Sequence, residues 1–410
     1  MAALETRARR RVVKAELKLV GPGAVLFIDA AASGVLAPHL GELTDHVLDG
    51  RSGAGARLAM LAAIFAGQAL LGPASAQLVR VLPWQIVCAG GFIFFGAGLW
   101  LVLGADSFML LLCALMLPGL SVATTIVALS ALSRHAAPSR RTKRQALGFA
   151  IIAAGFVLAP VVSGFTLYAS LTQLLTFAIA ICAFGAVVSV LSLVISSPSP
   201  DPAQAHAAGP KAMTAAPGAA VWIAAFGAAG LAASSQPFTL MWPLVGGEAF
   251  DLTPAAIGVT FALVAALTAV FNLFLIKRIA FLFRDRLGAF LLGVAGLYAI
   301  ACWTGAAVLF LPIAACVAVI SCAPSVLSGQ AMENLGAAPQ PGAMEAVNTV
   351  FFYAGAGGAL FGAASAFLLY DQSLEILGRV SAPALMVSVG SVLTALAALR
   401  VSARLYGEPA

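Results

Sequence analysis

Charge is what this chain has least of: Asp, Glu, Lys and Arg make up 9% of its 410 residues, against 61% hydrophobic ones. A soluble domain carries about 25% charged residues, so most of this chain cannot face water. Histidine is nearly as scarce. The four residues His39, His46, His135 and His206 fall at the ends of apolar runs or between them, and no pair has the spacing of helix-borne metal ligands. The six cysteines (Cys88, Cys113, Cys182, Cys302, Cys316 and Cys322) show no CxxC spacing and lie inside apolar runs, so they read as small buried side chains. No Gly-Lys-Ser/Thr phosphate loop occurs, which excludes ATP as a driving force. No Ser-His-Asp set or metal motif can be assembled at one depth, so neither an enzyme nor a resident cofactor is expected.

Long apolar runs are what the chain has in abundance. A helix crossing the roughly 30 Å hydrocarbon core needs about 20 apolar residues, and twelve such stretches are present. They cover approximately 19–42, 56–78, 84–105, 108–132, 146–169, 172–196, 218–245, 255–278, 287–305, 308–328, 345–370 and 381–401. The ninth and tenth are divided only by a turn near Thr304-Gly305-Ala306. The runs are continuous, without the ten-residue alternation of a membrane barrel, so they predict helices.

The net charge of +6 is distributed as an address and not as a nucleic-acid footprint. With the N-terminus inside, nineteen of the 22 Lys and Arg residues fall on one side, and only Arg51, Arg57 and Arg379 on the other. That asymmetry predicts a multi-pass protein of a bacterial-type inner membrane with both termini cytoplasmic. Ala30-Ala31-Ala32-Ser33 resembles a signal cleavage site, but Asp29 would interrupt the apolar region before it, so the first span is expected to be retained.

The longest polar stretch after the N-terminus, 197–217, is rich in Ser, Pro and Ala and reads as a flexible cytoplasmic linker. The expected organisation is a basic segment 1–18, a six-helix bundle 19–196, the linker 197–217 and a second six-helix bundle 218–410. Forty glycines, many within spans, predict close helix packing; the run Gly355 to Ala359 and the pair Gly148 and Gly155 are the clearest faces.

Asp29 is the one charged residue near the middle of any run. A carboxylate there costs about 2.5–3.5 kcal/mol on insertion scales, so it should face a cavity, find a partner or carry a proton. No Lys or Arg lies at comparable depth, which argues against a buried ion pair. A hydrogen-bonded structural Asp is the plainer reading. Other polar side chains at membrane depth include Gln68, Gln236, Asn272, Gln330 and Asn348, with Ser121, Thr124 and Thr125 in the fourth span.

Three segments resemble one known family. Span one, LFIDAAASGVLAPHLGEL, carries Asp29 nine residues before Pro38. Span five reads Gly155-Phe156-Val157-Leu158-Ala159-Pro160-Val161-Val162-Ser163-Gly164, close to a Gly-x-x-x-Gly-Pro-x-x-Gly-Gly signature. The stretch after span eight, LFLIKRIAFLFRDRLGAFLLG, places Arg278 before a further basic group. Together with the six-plus-six layout, these resemble the drug/proton antiporters of the major facilitator superfamily, including the tetracycline exporters. The resemblance implies an all-α membrane protein of twelve helices in two pseudo-symmetric bundles that rock about a midplane cavity. It gives Asp29 a role in proton coupling. It gives Gly155, Pro160, Gly164 and Arg278 roles in conformational change and packing. Two family features are missing: after span two the stretch Gly72 to Arg80 lacks the acidic and most basic residues, and Leu115 stands where an Arg precedes Gly119.

With one carboxylate, a few amides and aromatics such as Trp242, the cavity suits an amphipathic neutral or cationic organic molecule. Ser33, Gln68, Gln236, Asn272, Asn348 and Tyr353 are its candidate lining. The expected activity is proton-coupled efflux by a monomer, with small-molecule substrate, protons and lipid bilayer as partners and no nucleic acid. An importer of a nutrient or siderophore, and a lipid- or pigment-handling or assembly protein, are the alternatives.

Overall fold

A computed structural model describes residues 19–35, 54–134, 136–165, 171–195, 221–222, 225–233, 254–304, 310–335, 339 and 342–377. The basic N-terminal segment, the linker 197–217, Gln236, Trp242 and the last predicted span lie outside them.

Almost every described residue is helical. The first half comprises α1 (Leu19–Val35), α2 (Ala54–Val81), α3 (Trp84–Leu103), α4 (Phe108–Leu120), α5 (Val122–Arg134), α6 (Arg141–Phe165) and α7 (Leu171–Ile195). The second comprises α8 (225–233), α9 (Pro254–Val270), α10 (Ile276–Asp285), α11 (Leu287–Thr304), α12 (Phe310–Ser321), α13 (Ala323–Glu333) and α14 (Ala343–Leu377). Among the described residues six segments are long and apolar enough to cross a membrane. A helix satisfies its own backbone groups, which a chain in hydrocarbon must do.

Two predicted spans are each split in two. The fourth breaks at Ser121, three residues after Pro118, and becomes α4 and α5; the tenth breaks at Cys322, two residues before Pro324, and becomes α12 and α13. Proline withdraws one backbone donor and crowds the preceding turn, so each break follows from sequence. The equal placement, in the fourth span of each half, reflects the internal repeat.

Two stretches read as inter-helix loops are helical. Gly72 to Arg80 forms the last turns of α2, which runs to Val81 through Pro73, leaving only Leu82 and Pro83 as the turn. The eighth span continues from α9 through a π-helical turn, Phe271–Leu275, into α10, which ends at Asp285. There Ile276, Ile279 and Phe283 are buried on one face while Lys277 and Arg278 are exposed, the pattern of an amphipathic helix. α11 is described to Thr304, and Gly305 and Ala306 of the turn expected near Thr304-Gly305-Ala306 lie outside the described residues.

Small residues set the packing. A Cβ on Gly119 would lie 2.0 Å from the Ile64 carbonyl and 3.0 Å from the Gly67 Cα, so α2 and α4 meet backbone to backbone. Gly155 brings α6 onto α1, where an added Cβ would lie 2.5 Å from the Phe27 carbonyl. In α14 the close approach is made by Gly358 against Ala229, whereas a Cβ on Gly355 or Gly357 would meet nothing within 4 Å. The packing face of that glycine run is therefore narrower than the sequence suggests.

Candidate functional site

The halves meet along α2 with α14, α5 with α14, and α6 with α9 and α13. Four charged residues mark one end of this seam. Arg134, the last residue of α5, pairs with Glu345 in the first turn of α14 at 2.5 Å. Arg141, fully buried at the start of α6, donates from Nη1 to the Met332 carbonyl at 2.7 Å. The Thr142 amide in turn donates to Glu333 Oε1 at 3.4 Å. The last carbonyls of α13 thus receive a guanidinium, and the first turn of α6 receives a carboxylate. Each charge complements the helix dipole it faces.

The first half contributes two arginines and the second half two glutamates. In a twofold repeat, the end of α5 corresponds to the end of α13, and the start of α6 to the start of α14. Arg134 and Glu333 each close the second segment of a broken span, and Arg141 and Glu345 each stand in the first turn of the helix that follows, with opposite charges in the two halves. Like charges there would repel across the seam. Gln145 extends the contact, donating from Nε2 to Ser133 Oγ at 3.0 Å and to Met332 Sδ at 3.1 Å.

Deeper along α14, three more side chains cross to the first half. Asn348, buried, donates to Ser130 Oγ at 3.0 Å and to the Ile126 carbonyl at 3.5 Å. Thr349 donates to the Gly72 carbonyl at 3.1 Å, and Tyr353 to the Ala69 carbonyl at 2.6 Å. The last bond has a cause in the sequence. In a regular helix the amide of residue 73 would occupy the carbonyl of residue 69; Pro73 has none, and Tyr353 supplies the missing donor. Gly72 makes room, since a Cβ there would lie 2.8 Å from the Tyr353 ring. From Glu345 to Tyr353 is eight residues, or about 12 Å of helix, so the seam is bonded over that depth.

Asp29 occupies a different place. It is buried in the first half, where Thr125 Oγ1 of α5 donates to its Oδ2. Its Oδ1 is buried with no hydrogen-bond partner. Behind it Thr124 and Cys88 exchange bonds, Thr124 Oγ1 to the Cys88 carbonyl at 3.3 Å and Cys88 Sγ to the Thr124 carbonyl at 3.7 Å, tying α5 to α3. Thr125 is half-buried, so the bonded pair stands one side chain from accessible surface.

The other candidates separate into groups. Asn348 and Tyr353 bridge the halves, as described. Asn272, buried in the π-helical turn, donates to the Thr268 carbonyl and to Cys322 Sγ, and accepts from Ser325 Oγ at 2.5 Å. Its polar atoms are thus committed within the second half, at the break between α12 and α13. Ser33 and Gln68 are half-buried in α1 and α2, and Arg278 is exposed on α10. Pro160 and Gly164 lie in the last turns of α6. Among the described residues no three His, Cys, Asp or Glu side chains are grouped to hold a metal ion. The seam charges were visible to sequence reasoning only as orientation signals. What marked them was position: Arg or Glu directly at a helix end beside a short turn.

No family profile and no curated protein matches the chain in sequence. Solved structures match it in shape. The human organic anion transporter TETRAN aligns with a TM-score of 0.69 at 14% identity, over 94% of this chain and 99% of that one. A bacterial homologue of the iron transporter ferroportin, in an outward-facing state, gives 0.68 at 16% identity over 95% and 100%. The Escherichia coli major facilitator superfamily transporter FucP, in its outward conformation, gives 0.64 at 14% over 95% and 99%. The chain has the major facilitator fold: an all-helical membrane architecture of two pseudo-symmetric halves.

Proposed function

We propose that the chain is a secondary transporter working by alternating access, in which Asp29 takes up and releases the coupling proton. The observation that carries this reading is the half-satisfied carboxylate: Oδ2 bonded by a neutral hydroxyl, Oδ1 buried without a partner. A proton on Oδ1 removes the charge from a medium in which charge is costly. Its loss restores a carboxylate between α1 and α5, and α5 carries Arg134 and Ser130 to the seam. A change of charge at Asp29 therefore acts on a helix that joins the halves.

The basic end of the bundle, carrying Arg80, Arg134, Arg140, Arg141, Lys143 and Arg144, is assigned to the cytoplasm of a bacterial-type inner membrane, with both termini there. The bonded seam then closes the cytoplasmic side, and the protein stands outward-facing. The cargo is an amphipathic neutral or cationic organic molecule. The buried cation Arg141 is engaged at the seam, and Asn272 and Asn348 are committed to structural bonds, leaving Gln68, Ser33 and apolar surface for binding. Efflux is the direction, supported by the antiporter-like segments around Asp29 and Pro160, and the monomer is the working unit.

Proteoliposomes test this with the lipophilic cation ethidium as probe. A pH gradient should drive its movement against concentration, and Asp29→Asn should abolish that dependence while leaving the protein folded. Gradient-driven movement unchanged in Asp29→Asn would refute the assignment.

A further inference from the structure

We infer that the first turns of α6 work against closure, so that the seam gives way between α6 and α13 while α14 still holds. The inference rests on the alternating-access reading and on no property of Asp29. Among the described residues, five buried side-chain polar atoms find no hydrogen-bond partner. One is Asp29 Oδ1; the other four are Arg141 Nε and Nη2, Thr142 Oγ1 and Gln145 Oε1. Those four stand within about one turn of a single helix. It is the turn that meets α13, where a Cβ on Gly329 would lie 2.6 Å from the Thr142 Cα.

Arg141 is fully buried and spends only Nη1 on a partner, the Met332 carbonyl. The neighbouring acid Glu333 takes the Thr142 amide and leaves the other two guanidinium nitrogens stranded. A buried cation recovers its desolvation cost only where its donors are met. Nor does the Met332 carbonyl depend on the guanidinium, since it also accepts from the Leu335 amide at 3.1 Å. Gln145 bonds Ser133 of its own half, a contact that opening leaves intact. Parting α6 from α13 therefore returns four polar atoms to water and forfeits few bonds. On α14 the balance is reversed. Glu345, Asn348, Thr349 and Tyr353 are each bonded to the first half, and none of them carries a stranded buried atom. One side of the seam is a clasp and the other a spring.

The test uses the full chain in nanodiscs, with spin labels on non-canonical residues so that the native cysteines stay in place. One pair, at Lys143 and Asn334, spans α6 and α13; the other, at Ala131 and Ala346, spans α5 and α14. The first pair should show the longer distance in a larger fraction of molecules than the second. Equal fractions would overturn the inference while leaving alternating access standing, and that arm needs no change at Arg141. Arg141→Met fills similar space without the stranded donors. It should raise the closed-to-open ratio of the first pair at least about fivefold and raise the unfolding temperature. Arg141→Lys keeps a buried cation and should do neither. Arg134→Met, which strips the nearly buried Glu345 of its cation, should move the second pair toward the open distance. A fall in the closed fraction with Arg141→Met would make Arg141 a clasp and overturn the inference. A single closed distance for both pairs in every protein would overturn it together with the alternating-access reading.

Discussion

The Tyr353 hydroxyl of one half donates at 2.6 Å to the Ala69 carbonyl of the other, a carbonyl left without its helical partner by Pro73. The bond is exposed, so its contribution to the closed seam is that of an ordinary intramolecular hydrogen bond, about 0.5–1.5 kcal/mol.

That relationship predicts a coupling between two substitutions in different halves. Tyr353→Phe should lower stability by about 1 kcal/mol. In a Pro73→Ala background the restored amide should take the carbonyl, and Tyr353→Phe should then cost markedly less. A double-mutant cycle from thermal unfolding measures this; additive effects would mean that Pro73 plays no part in the bond.

Arg134 and Glu345 predict a charge-reversal rescue. Glu345 is 2% exposed and Arg134 29% exposed, so Arg134→Gln leaves a nearly buried carboxylate without its cation. A loss of about 1–3 kcal/mol is expected. Arg134→Glu should be worse, since it sets two carboxylates together, and Arg134→Glu with Glu345→Arg should recover much of the loss. Cross-linking between cysteines placed at the ends of α5 and α14 reports whether the seam closes in each variant.

The glycines predict a contrast at constant chemistry. Gly119→Ala places a methyl against the Ile64 backbone, which cannot swing aside, and should destabilise by several kcal/mol or abolish expression. Gly355→Ala meets open space and relieves a flexible helix position, so it should be neutral or stabilising by up to about 1 kcal/mol. Unfolding temperatures in detergent would show the difference.

The fold was largely legible because composition in a membrane protein acts nearly residue by residue: apolar length sets each helix, and Pro118 and Pro324 mark where two of them break. What was not legible is which helices touch. Asp29 stood out by charge and Thr125 was noted as a polar residue of its span, but nothing in the spacing joined residues 96 positions apart. Arg134, Arg141, Glu333 and Glu345 were hidden for the opposite reason. Charges at helix ends are common at a membrane surface, and only the seam gives these four a partner. Asn272 carried the signal of a cavity amide, yet the π-helical turn aims it at Cys322 and Ser325. The amphipathic α10 was masked by its basic residues, which read as a loop.

The proton role of Asp29 is tested most directly by the opening of the seam itself. Spin labels at the cytoplasmic ends of α5 and α14, with distances read by pulsed electron resonance across pH, follow the two halves without a substrate. The account predicts that wild type shifts between a short and a long distance as pH changes, and that Asp29→Asn shows the wild-type low-pH distribution at every pH. A pH response in Asp29→Asn identical to that of wild type would contradict the account.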